Sequence, residues 1–427
     1  MNLFKRYMTV LLRYLVFQFT FFVVFFGNAQ NVIRDAVEKA NYELWDKFID
    51  KYGIVNDFQG ERPTAYDSML SRPNGFGWWT PIENGAFFTG MYLMAACERA
   101  KSTKLDVDKD KVRILVQGLL KLASVSDVPG FISRGLSTDG KTHYPNGSID
   151  QSIPWFYGLY HYLTTDIPTT KEREIIKRKL IEIVDAIRIN NWKIPSDGFF
   201  TGKSPNNIKE NRFLEVPCYL LLLRCMYELT EDISWLNRYK NALNEIPEGG
   251  TLIRADICAQ GIAYDQDMWG ESKSYLWIYV MKQAALVELA KMEKDESVRA
   301  KFIQGVKNNR DFVMRFTSTF SNFNNQDQRI FGNKYWRECY TDWYPQLTVD
   351  DAFRISNLRN HDEIGQRKAY ERTYMTSPLS AVSIIALAGI SIDCDLIDEV
   401  ISHYDYSKLY LAEFFYAELA YYVKSCE

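Results

Sequence analysis

The chain predicts an all-α fold of six helical hairpins, an (α/α)6 barrel with an inner and an outer ring, and three observations carry that prediction. Apolar residues recur at helical spacing along nearly the whole length, and strand-like alternation is scarce. Segments apolar on most sides alternate with segments that carry one apolar stripe. A helix apolar all round is buried and one with a single stripe lies outside it, so this alternation reads as alternation between rings. Short connections also alternate with long ones rich in glycine, proline and aromatics.

Taken in order, helical spacing marks twelve segments: 31–52, 82–100, 108–125, 151–164, 171–190, 213–230, 232–245, 268–293, 295–317, 376–390, 393–404 and 407–424. The segments at 84–100, 151–163, 213–229, 268–292, 378–390 and 409–423 are apolar on most sides and form the expected inner ring. Those at 31–52, 108–125, 171–190 and 295–317 are amphipathic; in 171–190, Ile175, Ile176, Leu180, Ile183, Val184 and Ile187 make one stripe against Lys and Glu. Short links near 101–107, 165–170, 231, 294 and 391–392 join helices into hairpins. The long connections 53–81, 126–150, 191–212, 246–267 and 318–375 enter the inner ring at one end. Long loops in a compact domain are uncommon unless functional. Pro81, Pro154, Pro217 and Pro378 are expected in the first turn of inner helices; deeper in a helix each would cost about 3 kcal/mol.

Residues 30–427 read as one catalytic domain, because no linker or composition break divides them. Residues 1–29 read as a signal peptide. Lys5, Arg6 and Arg13 precede the apolar run from Leu15 to Phe26, and Gly27-Asn28-Ala29 supplies small residues before a cleavage site at Gln30. The mature protein is therefore expected to be exported, periplasmic or extracellular, with membrane contact only through this segment if it is retained uncleaved. The 51 basic and 54 acidic residues give a formal charge of −3, spread along the chain, which argues against nucleic acid as a partner. Seven scattered cysteines without a CxxC pair read mostly as buried thiols. With four histidines and no HExxH, neither a metal nor another cofactor is expected.

The junctions between long loops and inner helices gather the chemistry. WWTPIEN brings Trp78, Trp79, Glu83 and Asn84; the stretch from Ser133 to Tyr157 brings Arg134, His143, Tyr144, Asp150, Gln151 and Trp155. The third junction contributes Arg212 and Glu215, the fourth Tyr264, Asp265, Asp267 and Trp269, and the fifth Trp343 and Tyr344. Aromatic faces with bidentate polar side chains suit a sugar. Glycosidic cleavage needs a proton donor and a second group, usually a carboxylate. Asp150, Asp265, Asp267 and Glu83 are the catalytic candidates, with Asp150 first.

Each has a structural alternative. Thr80-x-x-Glu83 with Pro81, and Ser148-x-x-Gln151, have capping-box spacing. One of Asp265 and Asp267 is expected as an N-cap. His143 reads equally as a loop hydrogen-bond partner, and one of Trp78 and Trp79 as core. Asn84 and the other tryptophan are expected to contact substrate.

With these blocks on a twelve-helix pattern, WWTPIENGAFFTG, GKTHYPNGSIDQSIPWFYGLY and YDQDMWGES included, the chain resembles the six-hairpin glycosidases of glycan-degrading Bacteroidetes. A more distant likeness is to the unsaturated glucuronyl and rhamnogalacturonyl hydrolases. That resemblance implies an aspartate at the start of an inner helix that protonates the vinyl-ether double bond of a lyase product so that water adds; Asp150 matches by location. Arg134, Lys141 and Arg212 are available to a uronate carboxylate. The function expected is glycoside hydrolysis of an oligosaccharide from a complex polysaccharide, in one version uronate-containing. The alternatives are a polysaccharide lyase using His143 and Tyr144, and a non-catalytic periplasmic glycan-binding protein.

Overall fold

The computed structural model describes residues 32–70, 75, 77–198, 207–265, 275–327, 336–339, 346, 348–359, 365–390 and 392–424. Among them the fold is all-helical, with isolated bridges such as Ile49 to Val55 and Phe58 to Leu411 in place of any sheet. Residues 1–29, read above as a signal peptide, lie outside the described residues, and no described helix is long and apolar enough to cross a membrane.

Each of the twelve predicted segments holds a helix: α1 (32–47), α3 (Gly85–Thr103), α4 (Asp106–Leu122), α5 (Ile149–Thr164), α6 (Thr170–Ile189), α7 (Val216–Thr230), α8 (Ile233–Asn244), α10 (Leu276–Met292), α11 (Glu296–Thr317), α15 (Ser377–Ala388), α16 (Cys394–Ser402) and α17 (Tyr416–Val423). The difference between buried and striped helices is real. Every residue from Gly85 to Cys97 of α3 is buried, and so is the whole of α15. In α6 only Ile176, Leu180, Ile183, Val184 and Ile187 are. The buried helices pack on one another: α3 against α5 and α17, α10 against α7 and α15, and α15 against α17. The striped helices α4, α6, α8, α11 and α16 each lie against one or two of them.

The crossing of α3 and α5 is a close one. A Cβ added at Gly90 would stand 2.1 Å from the Pro154 carbonyl oxygen, and one at Gly158 would stand 2.4 Å from that of Gly90. Only hydrogen fits between backbones at that spacing.

Several expectations need correction. The long connections are partly helical, holding α2 (Ala65–Met69), α9 (Arg254–Gln260), α12 (Trp336–Cys339), α13 (Val349–Arg359) and α14 (Gly365–Glu371). Two of these start at capping pairs, Thr64 with Asp67 and Thr348 with Asp351, in segments with too little apolar periodicity to register as helix. Pro81 precedes α3 instead of opening it, and Pro154 is the sixth residue of α5, beyond the first turn. The last predicted segment is helical only in its second half, with 3₁₀ turns at Tyr406–Lys408 and Ala412–Phe415 before α17. A π-helical turn, Arg372–Thr376, joins α14 to α15. Cys97, Cys218, Cys225 and Cys258 are free and buried, whereas Cys394 is disulfide-bonded.

Candidate functional site

A helix start leaves its first backbone N–H groups without intrahelical partners. For α3 those partners come from elsewhere in the chain. Asn84 occupies the N-cap position but makes no side-chain cap bond. Its own N–H and its Nδ2 both donate to the Asp57 carboxylate, each at 2.6 Å. Ala86 N–H donates to the Arg134 carbonyl at 2.9 Å, and Phe87 N–H to Gln151 Oε1 at 3.0 Å. The Thr80–Glu83 capping box therefore does not form: Thr80 turns its hydroxyl to the Gly77 carbonyl, and the Glu83 carboxylate pairs with Lys368 Nζ at 2.9 Å.

The Ser148–Gln151 box does not form either, because Ser148 is engaged by Arg134 from the preceding loop and Gln151 reaches across the α3–α5 crossing. Ser148 accepts from Arg134 Nη2 at 2.9 Å. Gln151 Nε2 donates to Asn84 Oδ1 at 2.9 Å and to Asp150 Oδ2 at 3.2 Å. A chain of fixed polarity results: Asp57 accepts from Asn84, Asn84 accepts from Gln151, and Gln151 donates to Asp150. The backbone donors at Asn84 and Phe87 fix which way both amides face. Arg134 completes the group, donating through Nη1 to the Glu83 carbonyl at 3.2 Å with Nη2 3.8 Å from Asp150 Oδ1. At that distance Arg134 is an electrostatic neighbour of Asp150 and not its hydrogen-bond donor. Asp150 is the accessible member, its side chain 35% exposed against 12% for Glu83.

Late segments of the chain close the group from the other side. Lys368 on α14 and Arg372 at the start of the π-helical turn face Glu83, and Arg372 Nε donates to the fully buried Glu413 at 3.1 Å. Arg372 lies over the Trp277 ring at 5.6 Å, and Trp277 packs edge-on to Phe87 at 4.7 Å. The charges separate the two neighbouring acids. Burial, then repulsion from Glu83, pushes the Asp57 carboxyl up to about 8, against the pull of Lys368 and the Asn84 donors. Burial acts on Glu83 in the same direction, but Lys368, Arg372 and Arg134 outweigh it and hold its carboxyl below the usual range. The two neighbouring acids are thus set apart in proton affinity, Asp57 raised and Glu83 lowered.

Of the predicted residues, then, Glu83, Asn84, Arg134, Asp150 and Gln151 come together. Arg212, Glu215, Tyr264 and Asp265 form a second group at the start of α7. Both Asp265 oxygens accept backbone N–H groups, from Phe213 at 2.8 Å and Leu214 at 2.9 Å, so Asp265 caps a segment remote in sequence. Arg212 is bound to Glu215 and lies 3.3 Å from Glu210, while Tyr264 donates to Asn211 at 2.7 Å. Burial pushes Glu215 up to about 7 despite Arg212 and Lys282.

His143 is a loop partner: Nε2 meets Asp197 Oδ2 at 2.6 Å and Nδ1 meets the Lys141 carbonyl at 2.8 Å. Tyr144 is buried against Gly77. Trp155 belongs to the core instead of the rim, fully buried with its indole N–H on the Leu119 carbonyl at 2.7 Å. The irregular loop that could let both tryptophans reach a cleft is present, with φ of 80° at Gly77 and 70° at Trp79. Trp78 packs beside Val349 and Ala352 and edge-on to Phe353 at 5.8 Å. Asp267, Trp269, Trp343 and Tyr344 lie outside the described residues. Among the described residues, no group of three or more His, Cys, Asp and Glu side chains is placed to hold a metal ion.

Sequence reasoning missed Asp57, Lys368, Arg372, Glu413 and Trp277. Asp57 carried a signal, an acid inside the apolar run Ile54-Val55-Asn56-Asp57-Phe58. Lys368 and Arg372 carried none, being ordinary surface-type residues in a segment read as loop. Comparisons with protein-family models, with curated proteins and with solved structures gave no match.

Proposed function

We propose that this chain is an exported glycoside hydrolase acting on an oligosaccharide from a complex polysaccharide. The observation that carries the reading is the Glu83–Arg134–Asp150 group, in which a carboxylate held ionised and a solvent-accessible carboxylate flank one arginine at the paired starts of α3 and α5. Asp150, the accessible carboxyl of the group, is the proton donor to the leaving oxygen. Glu83, paired with Lys368, is the carboxylate that activates water or attacks the anomeric carbon. Asn84 and Gln151 hold Asp150 in place through the amide chain from Asp57.

The architecture we propose is a single (α/α)6 barrel over residues 30–427, following a cleaved signal peptide at 1–29. Its support is the succession of buried helices α3, α5, α7, α10, α15 and α17 along the chain, with striped helices packed on them. The disulfide at Cys394 supports an oxidising compartment, in keeping with export. With both nitrogens of His143 engaged and Tyr144 buried, the lyase reading has no observation in its favour.

Product absorbance and reducing-end release, followed together on a panel of oligosaccharides, test the reaction class. A glycosidase releases reducing ends without creating a conjugated double bond, and on a lyase-derived substrate an unsaturated-glycuronyl hydrolase removes one. Growth of that absorbance identifies a lyase, and an inert wild type across the panel overturns the enzyme claim.

A further inference from the structure

Both ring nitrogens of His143 meet oxygen acceptors. Nδ1 lies 2.8 Å from the Lys141 carbonyl oxygen, and Nε2 lies 2.6 Å from Asp197 Oδ2. A C–H group approaches oxygen only to about 3.3–3.6 Å, so neither position is a ring carbon. A carbonyl oxygen can only accept, which puts a proton on Nδ1. An ionised carboxylate can only accept as well. Burial opposes the charge of Asp197, but hydrogen bonds from His143, Ser126 and the Gly198 N–H outweigh it and hold the carboxyl below its usual range. Nε2 therefore carries a proton too, and the ring that fits this place is the imidazolium. A neutral imidazole keeps one lone pair, which here would face a lone pair of oxygen.

The pair joins two connections. Asp197 belongs to the segment 192–198 that follows α6, and its N–H donates to the Pro145 carbonyl at 2.8 Å. Beside it the backbones touch, since a Cβ added at Gly147 would stand 2.1 Å from the Pro195 oxygen. The next residue, Ser148, is the N-cap of α5, and Asp150 lies in the first turn. From the turn after α4 come the Ser126 hydroxyl, on Asp197, and the Phe131 ring, 5.5 Å from that of His143. On the ring's own loop stand Lys141, which presents its carbonyl, and Asp139, turned to the N–H groups of Lys141 and Thr142 at 3.0 and 2.9 Å. We propose that His143 and Asp197 form a pH-sensitive latch: the imidazolium clamps the 192–198 segment to the loop entering α5, and loss of one ring proton releases it. At the acid end the low-lying Asp197 carboxyl keeps its charge until pH falls below the ordinary carboxylate range, so the latch opens on the alkaline side. Closed, it fixes the approach to the helix that carries Asp150, whatever that helix does to a substrate.

The test combines nitrogen NMR of the histidine rings with amide hydrogen exchange, on the full mature chain between about pH 6 and pH 9. The His143 signals are identified by their loss in His143→Gln. They should show two ring protons at the acid end and one at the alkaline end. Over the same interval the protection factors of segment 192–198, corrected for intrinsic exchange, should fall by about 10-fold or more, as expected when a charge-assisted hydrogen bond is lost. Asp197→Asn supplies a side chain that accepts from the charged ring and donates to the neutral one, so its protection should stay level across the range. A ring with a single proton at about pH 6, or wild-type protection that does not change with pH, overturns the proposal. So does an Asp197→Asn variant, shown to be folded by its thermal transition, whose protection falls with pH as that of wild type does. If Asp197→Asn does not fold, the wild-type ring titration and protection profile decide the matter by themselves.

Discussion

Gly90→Ala is the substitution that most directly tests how the site is assembled. The added Cβ would lie 2.1 Å from the Pro154 oxygen, 2.4 Å from its carbonyl carbon and 2.9 Å from Trp155 N. All three are backbone atoms, so no rotamer relieves the clash. Reaching even the 3.0 Å floor for real Cβ contacts requires α3 and α5 to part by 3.0 − 2.1 = 0.9 Å. A separation of that size stretches the bonds that cross between the helices, Gln151 to Asn84 at 2.9 Å and Phe87 to Gln151 at 3.0 Å, toward the limit of hydrogen bonding. Overpacking costs about 1–3 kcal/mol and the strained amide bonds add roughly 1 kcal/mol each. Against this, alanine gains about 1 kcal/mol in helix propensity. The expected net loss is about 2–4 kcal/mol, read as a lower urea midpoint with the slope unchanged. Gly60→Ala is the control, since its nearest neighbour would be Pro81 Cγ at an ordinary 3.5 Å, and it should stay within about 0.5 kcal/mol of wild type. If Gly90→Ala is as stable as Gly60→Ala, the close crossing and the site built on it are wrong.

Three other predictions concern charge and polarity. Asp57→Asn reverses one end of the amide chain, setting donor against donor at Asn84, and should cost about 1–3 kcal/mol; the double variant Asp57→Asn/Asn84→Asp restores every donor–acceptor match and should recover most of the loss in the same unfolding assay. No recovery would show that the polarity of this chain is unimportant. Burial raises the carboxyl of Asp57 to about 8 and those of Glu215, Glu371 and Glu418 to about 7. The folded state therefore binds more protons than the unfolded chain above about pH 4, so stability is fullest at the acid end of that window and falls as pH rises through 7 to 8. Melting temperatures that climb steadily from pH 5 to pH 8 would contradict this. Trp155→Phe should cost roughly 1–2 kcal/mol by removing the indole bond to the Leu119 carbonyl, which keeps its bond from the Ala123 N–H, while sugar affinity stays unchanged; weakened sugar binding would return Trp155 to the site.

The sequence made the helices legible because burial imprints itself as periodicity. The stripe of α6 and the unbroken burial of α15 are both visible in the order of apolar residues. Helix starts were less so. Thr80-x-x-Glu83 and Ser148-x-x-Gln151 have the spacing of local caps, yet at these junctions the donors are satisfied by Asp57, Gln151 and the Arg134 carbonyl, and spacing cannot register a partner dozens of residues away. Lys368 meets Glu83 across 285 residues. Asp265 shows the same limit, since an acid that looked like the cap of the helix following it instead caps the chain at Phe213 and Leu214.

The proposed chemistry at this site rests on Asp150. The direct measurement is reducing-end release by wild type and Asp150→Asn on one turned-over oligosaccharide, with affinity measured on the same preparations. A general acid contributes about 10²–10⁴-fold, so Asp150→Asn should lose turnover by about that factor and bind the oligosaccharide as wild type does. Turnover retained within a few-fold would contradict the account, as would loss of binding and turnover together in a folded variant.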